Sequence, residues 1–430
     1  MELLQNEKPG GTSESTIGAN RTQPQTVTNA PGVHGARNAG PKVAWLSPFP
    51  PQRSGIANYS QRLVRALKSR LRIDLYYDGQ KPAADLANEF PIYSISRFAE
   101  QRPNYDEVIY HLGNNSDFHK RIYEMAWQFP GTVVLHDYNL SAFMHEAFFK
   151  TGSPLYAAAL TEGYVAHGRA EFQRVTRRRA PEPSRFPMSH AIVQRSPRVI
   201  VHHRWLRDQF PQQRHIEVIP HFAELNHQPT THDLENFRER FAINPDHFLL
   251  VCAGFINNNK LPNLQIRVAE RLVAAGYPVQ LLLAGEVAPD VRLAMDSVQT
   301  KVIVTGYLAE KDYFSAIAAA DVILNLRNPS MGEASGTLMH ALAMGRPIIV
   351  SDSNQYKEFP DKTCWKLIHD DSEEELLFEY LRTLLANPNV RETLSRNALA
   401  FARNVLSLEI VSDRWAALLD NSRGRAANRI

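Results

Sequence analysis

The sequence predicts an α/β protein with doubly wound parallel sheets, and three observations indicate this class. Short apolar runs alternate with amphipathic segments of helical length along most of the chain. Several of these runs end in a glycine-containing loop that leads into a helix. The chain has 430 residues, which suits two or three domains of roughly 150 residues each. We therefore expect two α/β domains in succession.

Composition divides the chain into four parts. Residues 1–40 are rich in Gly, Thr, Asn, Gln and Pro and lack a periodic apolar pattern, so we interpret them as a disordered tail. Residues 41–225 form the first predicted domain and 226–405 the second, joined at a polar stretch near residue 225. Residues 406–430 carry a last apolar pattern, which predicts a C-terminal helix with a frayed end.

Charge and cysteine content narrow the functional classes. A formal net charge of +3 and the lack of nucleic-acid-binding motifs give no indication of a nucleic-acid partner. Two cysteines offer neither a disulfide framework nor a metal cluster, and no signal peptide or membrane span is recognisable. We expect a cytoplasmic protein, with peripheral membrane contact as a possibility raised by a basic first helix. A basic face of this kind is more often that of a solvated helix.

In the first domain, two strand ends are candidate ligand-binding positions. The strand at residues 42–47 runs into a loop with Gly55 before a helix, which is either a ligand-binding loop or a tight turn. His136 and Asp137 follow the apolar strand at 132–135, where open α/β sheets hold ligands. The alternative is a structural histidine that is bonded to the aspartate within a loop.

In the second domain, an anion-binding loop is predicted at the start of a helix. The run Gly332, Glu333, Ser335, Gly336 and Thr337 follows a buried strand at 321–326, so its backbone N–H groups suit a diphosphate. Glu333 would repel that diphosphate, so its carboxylate is better explained as an acceptor for sugar hydroxyls, with a capping role as the alternative. A sugar nucleotide fits both properties.

Positive charge comes from the neighbouring strand ends. Asn257 and Lys260 follow the strand at 248–253, and Lys260 is a candidate phosphate ligand. Arg327 follows the strand at 321–326 and is a second candidate. His340, on the first turns of the next helix, either contacts the nucleotide or packs. A further cluster of arginines at residues 174–185 predicts an exposed loop that is solvated or faces the acceptor.

Seven stretches resemble, in their order, the family-4 retaining glycosyltransferases. They are SPFPPQRSGIANY, YHLGNNSDFH, VVLHD, VIVHH followed by VIPHF, GFINNNK, VTGYLAEKDYFSAIAAADVIL and LRNPSMGEASG…ALAMGRPIIVSD. The resemblance covers about residues 42–420 and is greatest to a bacterial subgroup with an MGE-x-SG loop. It implies the GT-B architecture of two facing Rossmann-like domains, with a C-terminal helix that crosses back to the first.

The resemblance also implies a reaction. A hexose-type sugar would pass from a nucleotide sugar to a hydroxyl of a glycan, lipid-linked or other glycoconjugate acceptor, in polysaccharide or glycoconjugate biosynthesis. Lys260, Arg327 and the amides of residues 335–337 would stabilise the leaving diphosphate, Glu333 would orient the sugar, and His136 would contact its ring. No Asp-x-Asp motif is present, so neither a metal nor another cofactor is required.

Two positions depart from the family pattern. His340 stands where the wider family has a second glutamate that holds the ribose, and Glu333 lies one residue away from the first glutamate position. Phe255 occupies the position of the family's diphosphate-binding arginine, and Arg327 is our candidate replacement. Two other functions remain open: a sugar-nucleotide epimerase, and a non-catalytic sugar-nucleotide-binding or scaffold protein.

Overall fold

The computed structural model describes residues 40–291, 293 and 302–427, without the side chains of residues 421–427. Apart from Gly40, the predicted disordered tail at 1–40 lies outside the described residues. The described chain contains two parallel sheets, each covered by helices on both faces. This agrees with the predicted fold class. None of the described helices is long and apolar enough to span a bilayer.

The first sheet has seven parallel strands: β1 (Lys42–Leu46), β2 (Arg72–Tyr77), β3 (Ile92–Ser94), β4 (Glu107–Leu112), β5 (Thr132–Leu135), β6 (Arg198–Val201) and β7 (Ile216–Val218). Their order is β3-β2-β1-β4-β5-β6-β7. Successive side chains of a strand point to opposite faces. Accordingly, Val43 and Trp45 of β1 belong to one apolar cluster, and Ala44 and Leu46 to the other.

The helices of this half are α1 (Gly55–Leu67), α2 (Ala84–Glu89), α3 (Phe98–Gln101), α4 (Ser116–Gln128), α5 (Ser141–Met144), α6 (Pro154–Gly163), α7 (Gly168–Thr176), α8 (His190–Arg195) and α9 (Arg204–Asp208). A π-helical turn over His145–Phe149 extends α5. The region at 140–170 is therefore a series of short helices. Ser54 begins α1 by accepting the Ile56 N–H, as an N-cap serine does.

The second sheet has six parallel strands: β8 (Phe248–Ala253), β9 (Val279–Ala284), β10 (Val302–Val304), β11 (Val322–Asn325), β12 (Ile348–Ser351) and β13 (Trp365–Leu367). Their order is β10-β9-β8-β11-β12-β13. The helices are α10 (Thr231–Arg240), α11 (Pro262–Ala274), α12 (Glu310–Ala319), α13 (Gly336–Ala343), α14 (Glu373–Ala386), α15 (Pro388–Val405) and α16 (Leu408–Ala427). The predicted domain boundary near residue 225 lies between β7 and β8.

The C-terminal helix returns to the first half of the chain, as predicted. Ala223 and Ser407 form an isolated parallel bridge, so the outgoing and returning segments cross side by side. Trp415 of α16 is fully buried against Trp45 of β1, with ring centroids 5.6 Å apart. Burial of a tryptophan side chain contributes several kcal/mol. The packing of α16 thus holds the two halves together.

Candidate functional site

The candidate site lies where β8 and β11 end. These two strands are hydrogen-bonded neighbours in the second sheet, so the loops that follow them emerge side by side. The loop after β8 carries Lys260 on a short 3-10 turn, Asn258–Lys260. The loop after β11 begins at Arg327 and leads to the N-terminus of α13. The residues predicted from separate stretches therefore meet at one edge.

Lys260 is a buried cation without an ion-pair partner among the described residues. Its side chain is only 4% exposed, and its ammonium donates to the backbone carbonyl of Ala253. Burial, with a smaller contribution from the Arg327 cation, lowers the pKa of the Lys260 ammonium to about 7. Gly254 makes room for it, because a Cβ there would lie 3.0 Å from Lys260 Nζ. A buried, unpaired ammonium of this kind favours an anion as its partner.

Arg327 and Glu333 form an ion pair across the loop. Arg327 Nε donates to Glu333 Oε1 at 2.9 Å, and both side chains are more than four-fifths buried. Arg327 Nη1 is buried and has no hydrogen-bond partner among the described residues. The guanidinium thus keeps donor capacity for a further acceptor.

Three more donors hold the Glu333 carboxylate. Tyr356 Oη donates to Oε1 at 3.2 Å, while Ser330 Oγ and the Met331 N–H donate to Oε2 at 3.3 and 2.8 Å. With Arg327, these use the roughly four lone-pair directions of a carboxylate. The predicted alternative of a helix cap is not observed for Glu333, because Ser335 caps α13 by accepting the Leu338 N–H.

The start of α13 offers an open anion-binding surface. Gly336 and Thr337 are its first residues, and their N–H groups have no partner within the helix. A Cβ on Gly336 would contact nothing within 4 Å, so the backbone is accessible there. Thr337 Oγ1 donates to the Ala253 carbonyl at 3.4 Å, the same oxygen that Lys260 contacts. The helix N-terminus and the Lys260 ammonium therefore lie close together.

Residues of the first sheet close over this loop. The Asn139 N–H donates to the Met331 carbonyl, and the Ala334 N–H donates to the His136 carbonyl, both at 3.2 Å. His203 Nε2 donates to the Gly332 carbonyl at 3.2 Å. Asn139 and His203 were not identified from the sequence, although both lie just beyond carboxyl ends of β5 and β6, where ligand loops are expected.

At Gly332 the two halves of the chain approach each other closely. Its φ of +71° lies in the left-handed region, and a Cβ there would lie 2.6 Å from Trp205 and 2.7 Å from Tyr138. Glycine is therefore required by backbone conformation and by space. Nearby, the Glu358 carboxylate accepts the N–H groups of Arg204 and Trp205 at the start of α9. These contacts clamp the loop between the halves.

His136 belongs to a buried chain of three histidines. His202 Nδ1 faces the Ile219 carbonyl, which only accepts, so it carries a proton and leaves Nε2 as the acceptor for His136 Nδ1 at 3.1 Å. His111 Nδ1 in turn donates to His136 Nε2 at 2.9 Å. Burial, together with the neighbouring His202, lowers the pKa of the His136 ring. Both ring nitrogens of His136 are occupied, so contact with a sugar ring would have to replace one of these bonds.

Asp137 does not bond to His136. Its Oδ2 accepts the Asn114 N–H at 2.8 Å, and burial, with the nearby Glu333 carboxylate contributing, raises the pKa of Asp137 to about 7. A Cβ on Gly113 would lie 3.1 Å from the same oxygen. The first sheet thus presents a carboxyl group toward Glu333.

The remaining predicted residues lie around this centre. His340 stands edge-to-face with Phe314 and makes a weak 3.4 Å contact with Tyr313 Oη. Gly55 is the exposed first residue of α1. Asn257 has a buried Oδ1 without a partner among the described residues. Phe255 is 54% exposed and cannot replace the charge of an arginine.

Two residues that hold Glu333 were missed. Tyr356 and Gln355 lie on the 3-10 turn after β12, and Gln355 Nε2 donates to the Glu333 carbonyl at 2.8 Å. Their position after an apolar strand was the available signal. No group of three metal-ligating side chains is found in the described ranges.

Comparison with known proteins gives one family match and several solved structures of similar fold. Residues 247–387 match the family described as "Glycosyl transferases group 1". HepE from Anabaena, solved in complex with UDP and glucose, superposes with a TM-score of 0.62 at 15% identity, over 89% of this chain and 100% of that chain. The chain has the GT-B glycosyltransferase fold. The predicted GT-B fold is therefore confirmed.

Other relatives agree with the GT-B fold. Sucrose-phosphate synthase from Thermosynechococcus elongatus has a TM-score of 0.62 at 16% identity, over 90% of this chain and 100% of its own. WaaG, a glycosyltransferase involved in lipopolysaccharide biosynthesis, has a TM-score of 0.58 at 15% identity, over 88% and 99%. Alpha-D-kanosaminyltransferase from Streptomyces kanamyceticus is 23% identical over 186 residues, which are 42% of this chain and 47% of that enzyme. The match thus spans about half the length of this curated relative. The two solved structures thus share the fold of this chain.

Proposed function

We propose that the protein is a retaining glycosyltransferase that moves a hexose-type sugar from a nucleotide sugar to a hydroxyl of a glycan, lipid-linked or other glycoconjugate acceptor. The observation that carries the proposal is the Lys260 ammonium, which is buried beside the Arg327 cation without a carboxylate of its own. Two neighbouring cations and a helix N-terminus form a site for a diphosphate. The HepE complex with UDP and glucose supports a ligand of this class.

The Arg327–Glu333 pair suits a ligand that carries both an anion and hydroxyl groups. In the ligand-free pair, Arg327 occupies Glu333 Oε1, and each charge neutralises the other. A nucleotide sugar supplies a diphosphate to Arg327 and sugar hydroxyls to Glu333. One molecule thus gives each of the two residues a new hydrogen-bonding partner. The cost of separating the pair is then offset by two charge-assisted hydrogen bonds.

The proposed chemical step is electrostatic. As the bond from the sugar C1 to the diphosphate breaks, negative charge grows on the leaving group, and Lys260, Arg327 and the amides of Gly336 and Thr337 stabilise it. The acceptor hydroxyl attacks from the face that the diphosphate leaves and passes its proton to a phosphate oxygen. Glu333 holds the sugar hydroxyls in place. The clamp at Gly332 keeps water away from the reacting sugar.

A second candidate function is a sugar-nucleotide epimerase, and one observation favours it. Such an enzyme needs acid and base groups in the cleft, and Asp137, with a pKa raised to about 7, lies near Glu333. A non-catalytic sugar-nucleotide-binding or scaffold protein is the third candidate. This third candidate is supported by the two positions that depart from the family pattern, Phe255 and His340.

Incubation with a panel of sugar nucleotides, with and without candidate acceptors, separates these candidates. Nucleoside diphosphate release that depends on an acceptor, and that Glu333→Ala abolishes, supports the transferase. Release of an altered sugar without an acceptor supports the epimerase. Binding without turnover supports the scaffold protein.

We propose the cytoplasm as the compartment, and Cys252 and Cys364, both free thiols, support it. Membrane contact through α1 finds less support, because the cations on α1 and just after it are paired within the protein. The pairs are Arg62 with Glu224 and Glu310, Arg65 with Asp85 and Glu89, Lys68 with Glu89, and Arg70 with Asp413. Little positive charge on this face remains for anionic lipid.

A further inference from the structure

An arginine-rich loop follows α7 in the first half of the chain. We define the arginine loop as residues 177–185, which carry Arg177, Arg178, Arg179 and Arg185. All four are exposed, and none forms an ion pair among the described residues. Other exposed arginines do have carboxylate partners, among them Arg240 with Asp312, Arg382 with Glu379 and Arg396 with Glu392.

The acidic residues near the arginine loop are already used. Arg174 binds both oxygens of Glu171, at 2.7 and 2.8 Å, and lies 3.3 Å from Glu182. Glu171 also accepts the Glu182 N–H at 3.2 Å. This triad closes the loop back onto α7, and its two carboxylates face one guanidinium. The four exposed arginines outnumber the one uncompensated carboxylate, so the loop keeps a net positive charge.

The arginine loop is joined to the candidate active site through one residue. Asn139 Nδ2 donates to the Pro183 carbonyl of the loop at 3.0 Å. The backbone N–H of the same Asn139 donates to Met331, next to Gly332 and Glu333. Asn139 thus connects the backbone of the arginine loop to the loop that carries Glu333.

We propose that the arginine loop binds an anionic saccharide acceptor, one that carries carboxylate or phosphate groups close to the hydroxyl that is glycosylated. This inference rests on the proposed transferase function and adds the charge of the acceptor. Arginine, rather than lysine, occupies every cationic position of the loop. Its planar guanidinium binds carboxylate and phosphate in bidentate fashion.

A lipid surface is a less suitable partner for the positively charged arginine loop. A protein that lies on a membrane inserts apolar side chains beside its cations. Among the exposed large apolar residues of the described chain, only Val165 lies in the first half, while Phe255, Val304, Tyr307 and Ile368 lie in the second. A single valine gives little apolar area for insertion. We therefore commit to a saccharide as the occupant.

The test uses the full-length protein and tetragalacturonate as the anionic probe, with its methyl ester as the neutral analogue. Affinities are measured by calorimetry for the wild type and for the triple variant Arg177→Gln/Arg178→Gln/Arg179→Gln. The matched control, Arg240→Gln/Arg382→Gln/Arg396→Gln, removes the same charge from the other half. Vesicles of phosphatidylcholine, with and without phosphatidylglycerol, form the lipid arm.

We expect the wild type to bind tetragalacturonate and not its methyl ester, and the loop variant to bind it roughly tenfold more weakly, about 1.4 kcal/mol. The control variant should retain the wild-type affinity. Equal affinity of the two triple variants, no binding by the wild type, or binding to phosphatidylglycerol vesicles alone would overturn the proposal. Nucleotide-sugar binding, measured in parallel, is expected to be unchanged in the loop variant. Its absence from the wild type would instead count against the proposed function.

Discussion

Arg327 donates to Glu333 through Nε at 2.9 Å, while its Nη1 lies buried without a partner among the described residues. The Glu333 carboxylate therefore has no free acceptor position, whereas the Arg327 guanidinium still has a free donor. A diphosphate can take up the free side of Arg327 before the pair separates. The Glu333 carboxylate leaves the ion pair only when sugar hydroxyls replace Arg327 Nε as its hydrogen-bond donors.

Glu333→Gln tests this relationship. We expect the variant to bind a nucleoside diphosphate several-fold more tightly, because Arg327 no longer has a competing carboxylate. Sugar transfer should fall by roughly 10- to 150-fold, the range for loss of a hydrogen bond to a charged group. Calorimetry and nucleotide-release kinetics measure the two effects, and Glu379→Gln on the exposed surface of α14 is the control. Weaker diphosphate binding by Glu333→Gln would contradict the competition between carboxylate and phosphate.

Gly332→Ala tests the clamp between the two halves. An added Cβ would lie within 2.7 Å of both Trp205 and Tyr138, at a φ of +71°, so we expect reduced stability and loss of transfer. Gly306→Ala is a matched control, since its φ is +69° but a Cβ would contact nothing within 4 Å. Thermal unfolding should show a larger loss for Gly332→Ala than the roughly 1 kcal/mol expected from the strained φ alone. Equal losses would indicate that the steric contact is unimportant.

The buried histidines predict a loss of stability in acid. The pKa is lowered to about 4 for His119, His190, His202 and His340, and to about 3 for His203 and His221, with burial as the main cause. Between pH 4 and 6.5 the unfolded chain therefore binds more protons than the folded chain, and stability falls as the pH is lowered. Burial also lowers the pKa of His111 and His136. Asp137, whose folded pKa is raised, has the opposite effect, but it is one group against eight.

Urea unfolding at pH 7, 6 and 5 measures this trend. We expect the free energy of unfolding to fall by several kcal/mol, because each tenfold loss of proton affinity on folding corresponds to about 1.4 kcal/mol. His221→Asn should reduce the slope, while His232→Asn, on the exposed surface of α10, should leave it unchanged. A flat profile from pH 7 to 5 would show that the histidines are accessible to protons in the folded state.

Lys260 predicts how donor affinity depends on pH. Its pKa of about 7 means that the free protein loses this charge as the pH rises through 7, and a diphosphate binds best to the protonated form. Affinity for a nucleotide sugar, which lacks a titrating terminal phosphate, should therefore fall between pH 6.5 and 8.5. Lys260→Met should bind weakly at every pH, and Lys366→Met, on the edge strand β13, should behave as the wild type. A pH-independent affinity in the wild type would contradict a direct contact between Lys260 and the phosphate.

Most strands were predictable from the sequence, whereas β3 and β13 were missed. β8 and β9 are buried along their length, so their pattern is continuous. β3 and β13 are three-residue edge strands of mixed polarity, and they form because a neighbouring strand is already present. Their existence depends on tertiary pairing, which no local pattern records.

The residues of the candidate site also divide into those that the sequence predicts and those that it does not. Lys260 and Glu333 were predictable, because each is a charged residue in a glycine-containing loop at a strand end. The histidine chain was not, since His111, His136 and His202 come from three different strand ends and become partners only when β4, β5 and β6 lie side by side. The ion pair between Arg327 and Glu333 was not predicted either, because both side chains were expected to contact the ligand rather than each other.

The most direct test compares the affinity of the wild type and of Lys260→Met for a nucleoside diphosphate and for the corresponding nucleoside, by calorimetry at pH 6.5. If Lys260, Arg327 and the start of α13 form the diphosphate site, the wild type binds the diphosphate at least about tenfold more tightly than the nucleoside. Lys260→Met loses most of that preference. Equal affinity of the wild type for both compounds would contradict the central claim that this loop binds the diphosphate of a sugar donor.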